Sequence, residues 1–273
     1  MLKELYFIRH GKSVCNVLRE NGDARADLEE NIDTELAEEG IRQAAHLSKF
    51  TASLGVEVIL CSPLRRTLKT ANIAFSRLES AIPISIHSRV REKYWGDHEN
   101  RGLGKNSPRE FLRMESSSLP ACLVVDEKSL EFLESDEDEF WDPVAEKGYS
   151  AKKKGVMAER CASSALELIL RREEQKIAVV CHWGNFMHMF NVNPDNCCCY
   201  KVVVECEDGK MRRCLETAKL DQDSGVFKAV NFPNPHYRVR KDPSKKTTEK
   251  HDCKEALIAV CGAGWWLVIF PSF

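Results

Sequence analysis

Three short apolar runs, each ending abruptly at a basic or histidine-bearing turn, constrain this chain more than any other feature. They are Leu5-Tyr6-Phe7-Ile8 before Arg9-His10-Gly11, Val56 to Leu60 before Cys61-Ser62-Pro63-Leu64-Arg65-Arg66, and Ile177 to Cys181 before His182-Trp183-Gly184. A short apolar run without polar alternation is the pattern of a strand covered on both faces, as in parallel sheets flanked by helices. The intervening segments supply the helices. From Ala37 to Phe50 the residues Ala37, Ile41, Ala44 and Leu47 recur at helical steps, with Glu38 and Glu39 in the first turn. Leu64 to Phe75 reads as a second helix and Ile82 to Ile86 as another strand. A helix is also expected from about Gly155 to Arg172, and strands over Lys201 to Cys206 and Val226 to Val230. Alternating strands and helices predict an α/β fold: a three-layer α/β/α sandwich with a mainly parallel central sheet. Its pocket is expected at the carboxyl ends of the strands that start near Leu5, Glu57 and Ile177.

The stretch from about 101 to 150 breaks this rhythm and reads as an insertion or lid, and its acidic run Glu134 to Glu139 reads as a solvated face. No internal repeat occurs. Residues 1–236 are read as one domain, followed over 237–273 by a basic linker and a hydrophobic C-terminal tail. The apolar stretch Ala256 to Phe270 falls short of the roughly 20 residues a membrane-spanning helix needs. The tail is expected to dock on the protein or, with its basic flank, to touch a membrane surface.

Composition narrows the function. Of 273 residues 43% are hydrophobic, enough for a substantial core, and the formal charge of -2 gives no general attraction for nucleic acid. An anionic ligand must therefore be held by a local cluster. The 12 cysteines form no metal-binding or redox pair spacing. The opening MLKELYFIRH has no apolar signal segment, so the expected setting is cytoplasmic and reducing, with buried free thiols. No cofactor and no metal are expected, and nothing in the sequence reads out an oligomeric state.

The three strand ends carry the chemistry. Where a strand feeds a helix, backbone N–H groups and a partial positive charge favour a phosphate. Arg9 adds a planar two-pronged clamp, Gly11 allows close backbone approach, and Ser13 and Asn16 offer short polar side chains. Arg66 at the second strand end and His182 at the third extend the same cationic pocket.

Taken together, Arg9-His10-Gly11, Leu36-x-x-x-Gly40-x-x-Gln43-Ala44, Ser62-Pro63-Leu64-x-Arg66-x-x-x-Thr70-Ala71, Val90-x-Glu92 with Gly96, and His182-x-Gly184 resemble the histidine phosphatase superfamily, which includes the phosphoglycerate mutases. The likeness covers roughly Lys3 to Cys206. It implies a phosphoglycerate mutase-like fold and a phosphohistidine formed on His10. It also implies Arg9, Arg66 and His182 around the phosphoryl oxygens and Glu92 as the acid and then base, with Glu99 and Asp97 as alternatives. Lys12 departs from the Gln or Glu of many relatives and is expected to add positive charge near the phosphate. Trp183 is larger than the residue often found there and is expected to narrow the pocket.

The segment between Asn16 and Leu36 lacks the aromatic Gly-Trp pattern of phosphoglycerate mutases, and the segment after Glu92 lacks their arginine-rich insertion. A metal-independent phosphomonoesterase acting on a small phosphorylated substrate is therefore preferred. The alternatives are a cofactor-dependent phosphoglycerate mutase and a non-catalytic module that binds a phosphorylated ligand or a protein. A fructose bisphosphatase is a weaker reading, since no phosphate-binding Gly-Lys loop of a fused kinase occurs upstream of His10.

Overall fold

The computed structural model describes residues 1–92, 97–115, 122–135, 137–138, 140–141 and 164–232. The chain begins with β1 (Leu2–Arg9) and continues through α1 (Val14–Glu20) and α2 (Glu38–Thr51) to β2 (Val58–Cys61). It proceeds through α3 (Arg65–Ala74), β3 (Ile82–Ile86), α4 (Ser107–Met114), β4 (Leu123–Val125) and α5 (Glu127–Glu134). Helix α6 covers 164–171, followed by β5 (Lys176–Cys181) and α7 (Trp183–Phe190). Three further strands follow, β6 (Cys199–Glu207), β7 (Lys210–Asp221) and β8 (Val226–Ala229).

All eight strands join one sheet in the order β4-β3-β2-β5-β1-β6-β7-β8. The five from β4 to β1 run parallel and the last three antiparallel, so the sheet is mixed with a parallel heart. Side chains alternate between two cores. Tyr6, Ile8, Ile59, Ala178 and Val180 face one side with Leu47 of α2 and Leu68 of α3. Leu5, Phe7, Leu60, Ile177 and Val179 face the other with Ile169 of α6 and Phe186 and Phe190 of α7. Helices thus cover both faces, which is the expected three-layer arrangement.

Two expectations need correction. The alternation does not stop at residue 101: β4 adds a parallel strand beside β3, and Leu112, Leu130, Leu133 and Trp141 enter the first core. Within the acidic run, Asp138 is buried and accepts from Ser88 Oγ at 2.8 Å and Phe140 N at 2.9 Å, so at that position the run is no solvated face. The sequence reading also missed β7, of whose residues only Ala218 and Leu220 are buried. Its signal was Asp208-Gly209, whose φ values of 51° and 68° close a two-residue hairpin between the paired Glu207 and Lys210.

The thiols follow expectation within the described residues. Eight cysteines are free and buried, and Cys214 is free and exposed. Cys198 and Cys199 enter opposite cores, as neighbours on a strand must. No helix among the described residues is long and apolar enough to cross a membrane. The segment 237–273 lies outside the described residues.

Candidate active site

Strand order brings the three motif-bearing turns together. β5 lies between β1 and β2, with Arg9 opposite Cys181 and Cys61 opposite Val180. His10 N donates to Cys181 O at 3.0 Å and Ser62 N to Val180 O at 3.1 Å, so all three strands end at one level. His10, Arg66 and His182 are almost wholly enclosed there, at 3%, 1% and 0% exposure.

Fixed donors and acceptors set both imidazole tautomers. His10 Nδ1 lies 2.7 Å from Gly11 O, which can only accept, so Nδ1 carries the proton. His10 Nε2 lies 3.3 Å from Arg66 Nε, which can only donate, so Nε2 presents its lone pair. In His182, Nδ1 accepts from Arg66 Nη2 at 3.2 Å, leaving Nε2 to donate to Ser62 Oγ at 2.7 Å. The two rings stand 5.1 Å apart between centroids. Arg66 is itself held by Glu99 O and Asn100 Oδ1, both at 2.7 Å.

Burial, with Arg66 and Arg9 nearby, pushes His10 well below its ordinary 6.5; burial, with Arg66 and His10 nearby, does the same to His182. Both are therefore neutral near pH 7. In the unfolded chain they protonate below about 6.5, so acid loads the unfolded state with protons first. Stability should fall below that pH by up to about 1.4 kcal/mol per pH unit for each histidine. Urea unfolding of wild type and His10→Ala at pH 7 and 5.5 tests this, the variant showing the smaller loss. Equal losses would mean that His10 is not held neutral.

The other expected residues fall into two groups. Arg9 Nη1 donates to Pro194 O at 2.7 Å, while its buried Nε has no hydrogen-bond partner among the described residues. Glu92 accepts from Gly184 N at 2.9 and 3.2 Å, in the first turn of α7, where the partial positive charge suits a carboxylate. Ser13 and Asn16 instead engage each other. Asn16 N donates to Ser13 Oγ and Ser13 N to Asn16 Oδ1, both at 3.1 Å, which caps α1 and shapes the loop after His10. Of the alternatives to Glu92, Glu99 is paired with Arg19.

Gly11 does allow a close approach, but to the chain itself. A Cβ there would meet Gly40 O at 2.6 Å, and one on Gly40 would meet Lys12 O at 2.1 Å. Gln43 Oε1 accepts from Lys12 N at 2.9 Å, and Ser13 forms a bridge to Leu36, so the Leu36 to Ala44 motif clamps the histidine loop. Gly40→Ala should accordingly cost about 3 kcal/mol, the upper range for overpacking, because both contacts are backbone. A urea midpoint equal to wild type would overturn this.

Lys12 is a correction. Its ammonium pairs with Glu20 at 2.8 Å and Glu39 at 3.0 Å, so its charge is neutralised rather than added to the cradle. Trp183 is 41% exposed and donates to Asn193 Oδ1 at 2.7 Å. Sequence reasoning assigned no role to Ser62 or Thr70, although both stand in the quoted motif; Thr70 Oγ1 accepts from Gly11 N at 3.0 Å. It also passed over Asn100 and Asn196, whose Nδ2 donates to His10 O at 3.1 Å. No local pattern marks either, since both act across the fold.

Residues 5–121 match the histidine phosphatase superfamily (branch 1). The chain is 24% identical over 222 residues to phosphoglycerate mutase-like protein 1 of Arabidopsis thaliana, 71% of this chain and 73% of the relative. It is 30% identical over 107 residues to a Yersinia pestis protein named probable phosphoglycerate mutase GpmB, 39% of this chain and under half, 46%, of that relative. A solved mycobacterial glucosyl-3-phosphoglycerate phosphatase is 17% identical with a TM-score of 0.46, covering 78% of this chain and 96% of its own. The family match lies over the strand ends that carry His10 and Arg66.

Proposed function

We propose that this protein is a metal-independent phosphomonoesterase that hydrolyses a small phosphorylated substrate through a phosphohistidine on His10. The observation that carries this reading is the enclosed, unprotonated Nε2 of His10, 3.3 Å from the Arg66 guanidinium. Its lone pair attacks phosphorus and the bond to the leaving oxygen breaks, with Glu92 giving that oxygen a proton. Water then attacks the phosphorus on Nε2, Glu92 takes the proton, and phosphate leaves. Arg9, Arg66 and His182 face the equatorial oxygens, where charge accumulates in the transition state. An oxygen of the phosphoryl group gives the buried Arg9 Nε the acceptor it lacks among the described residues. Gly11, Ser13 and Asn16 hold the loop on which His10 sits. The buried free thiols support a reducing, cytoplasmic setting.

The names of the Arabidopsis and Yersinia relatives favour a second reading, a phosphoglycerate mutase. Phosphate release from a panel of phosphomonoesters, with EDTA present and an acid quench for labile phosphoprotein, separates the two. Release by wild type with acid-labile label supports the hydrolase. Exchange between 2- and 3-phosphoglycerate with little release would replace it by the mutase. Ligand binding with neither activity would leave a binding module.

A further inference from the structure

Asp33 is a fully buried carboxyl group that the chemistry above does not use. Its φ of 49° is left-handed, a conformation that aspartate tolerates better than most residues. Oδ1 accepts from the backbone N–H of Arg65 at 2.9 Å. Arg65 opens α3, and the preceding Leu64 has no side-chain acceptor with which to cap it. Asp33 thus caps α3 from a remote part of the chain, at the helix end that favours negative charge. The next residue in α3 is Arg66, the side chain that touches both histidines. The second oxygen, Oδ2, is buried without a hydrogen-bond partner among the described residues. The charged groups facing Asp33 are Arg66 and Arg65 from α3 and Arg91 from the segment after β3.

We propose that Asp33 is a positioning residue for the phosphate cradle, setting Arg66 through the first amide of α3 and strengthening or relaxing that hold with its own proton. This rests on the reading of the cradle as a phosphoryl-binding site. Burial pushes the Asp33 carboxyl up to about 7, against the Arg65 amide and the three arginines that pull it down. The group therefore changes charge near neutral pH. Ionised, it accepts a charge-assisted hydrogen bond and fixes the first turn of α3; protonated, it keeps a neutral bond and holds that turn less firmly. His10 and His182 stay neutral through the same range, so a change they sense near pH 7 has another source.

Asp33→Asn keeps the shape and an acceptor but cannot ionise. Binding of inorganic phosphate, compared at pH 6.0 and 8.5, is expected to be within about twofold of wild type at the lower pH and about tenfold weaker at the higher. The ring nitrogen-15 signals of His10 and His182 should show a wild-type transition near pH 7 that the variant loses. A ratio of affinities that is constant with pH, whether near one or well below it, would overturn the proposal, because a purely structural residue behaves that way. If Asp33→Asn fails to fold, the wild-type histidine titration decides alone, and its lack of a transition near pH 7 is the overturning result. Neither readout needs turnover. A wild type that hydrolyses no ester defeats the proposed reaction and leaves these tests of Asp33 standing, whereas one that binds no phosphate at either pH defeats both.

Discussion

His10→Ala is expected to lower phosphate release from every phosphomonoester by at least about 10⁴-fold, because removing a nucleophile removes the route rather than tuning it. Alanine leaves the Gly11 carbonyl and the Arg66 Nε facing a small void, yet β1 keeps its ladder to β5 and β6. Loss of activity should therefore far exceed loss of stability. The measurement is paired: initial rates on the best substrate, and urea unfolding of the same preparations. The acid-labile phosphoprotein seen with wild type should vanish in the variant. A variant retaining a tenth of wild-type activity would sink the phosphohistidine mechanism, and label persisting on another residue would relocate it.

Arg66→Ala is the second large effect. The guanidinium binds four groups at once: His10 Nε2, His182 Nδ1, Glu99 O and Asn100 Oδ1. For the transition state, losing one preorganised donor of this kind costs about 3 to 4 kcal/mol, or roughly 10²- to 10³-fold in rate. For the fold, the enclosed Glu99 carbonyl and Asn100 amide oxygen each lose a partner, worth about 1 to 3 kcal/mol per group. Both kcat/KM and the unfolding midpoint should fall. Arg66→Lys restores the charge but not the planar fork, so it should remain within about tenfold of the alanine variant. Full activity in the lysine variant would show that charge alone suffices and that the four-way geometry is incidental.

The two effects differ because the two residues are built into the protein differently. His10 directly follows a strand whose position is secured by neighbours on both sides, so its ring can be removed without disturbing the backbone. Arg66 lies near the start of a helix and links loops that have no ladder of their own, including the short turn His98–Asn100. On the proposed reaction, catalytic and structural duties are separable at the first residue and fused at the second.

Much of this was legible in the chain. The apolar runs of β1, β2 and β5 are near-continuous because strands in the heart of a parallel sheet are covered on both faces, and that coverage leaves a direct mark on sequence. The same holds for α2, whose Ala44 and Leu47 face the core at helical spacing. Exposed β7 left a weaker mark, because a strand with little buried area places few demands on its side chains. His10, Arg66 and His182 were found because each follows a strand, and strand ends are where such a sheet places ligands.

Three things were decided only in tertiary structure. Inserting β5 between β1 and β2 put His182 beside His10, although 171 positions separate them in the chain, and no local pattern encodes strand order. Lys12 is expected from the resemblance to add positive charge near the phosphate, yet Glu20 and Glu39 claim that charge, because an ion pair depends on which helices meet. No local pattern marks Asp33, which the fold encloses and sets under the first amide of α3. Local order along the chain set which residues could form the sheet and which chemistry stood at its strand ends, since burial and strand-end geometry act on neighbours along the chain. Which charges meet came from the fold, since Coulomb interactions and desolvation depend on distances in space that sequence separation does not set.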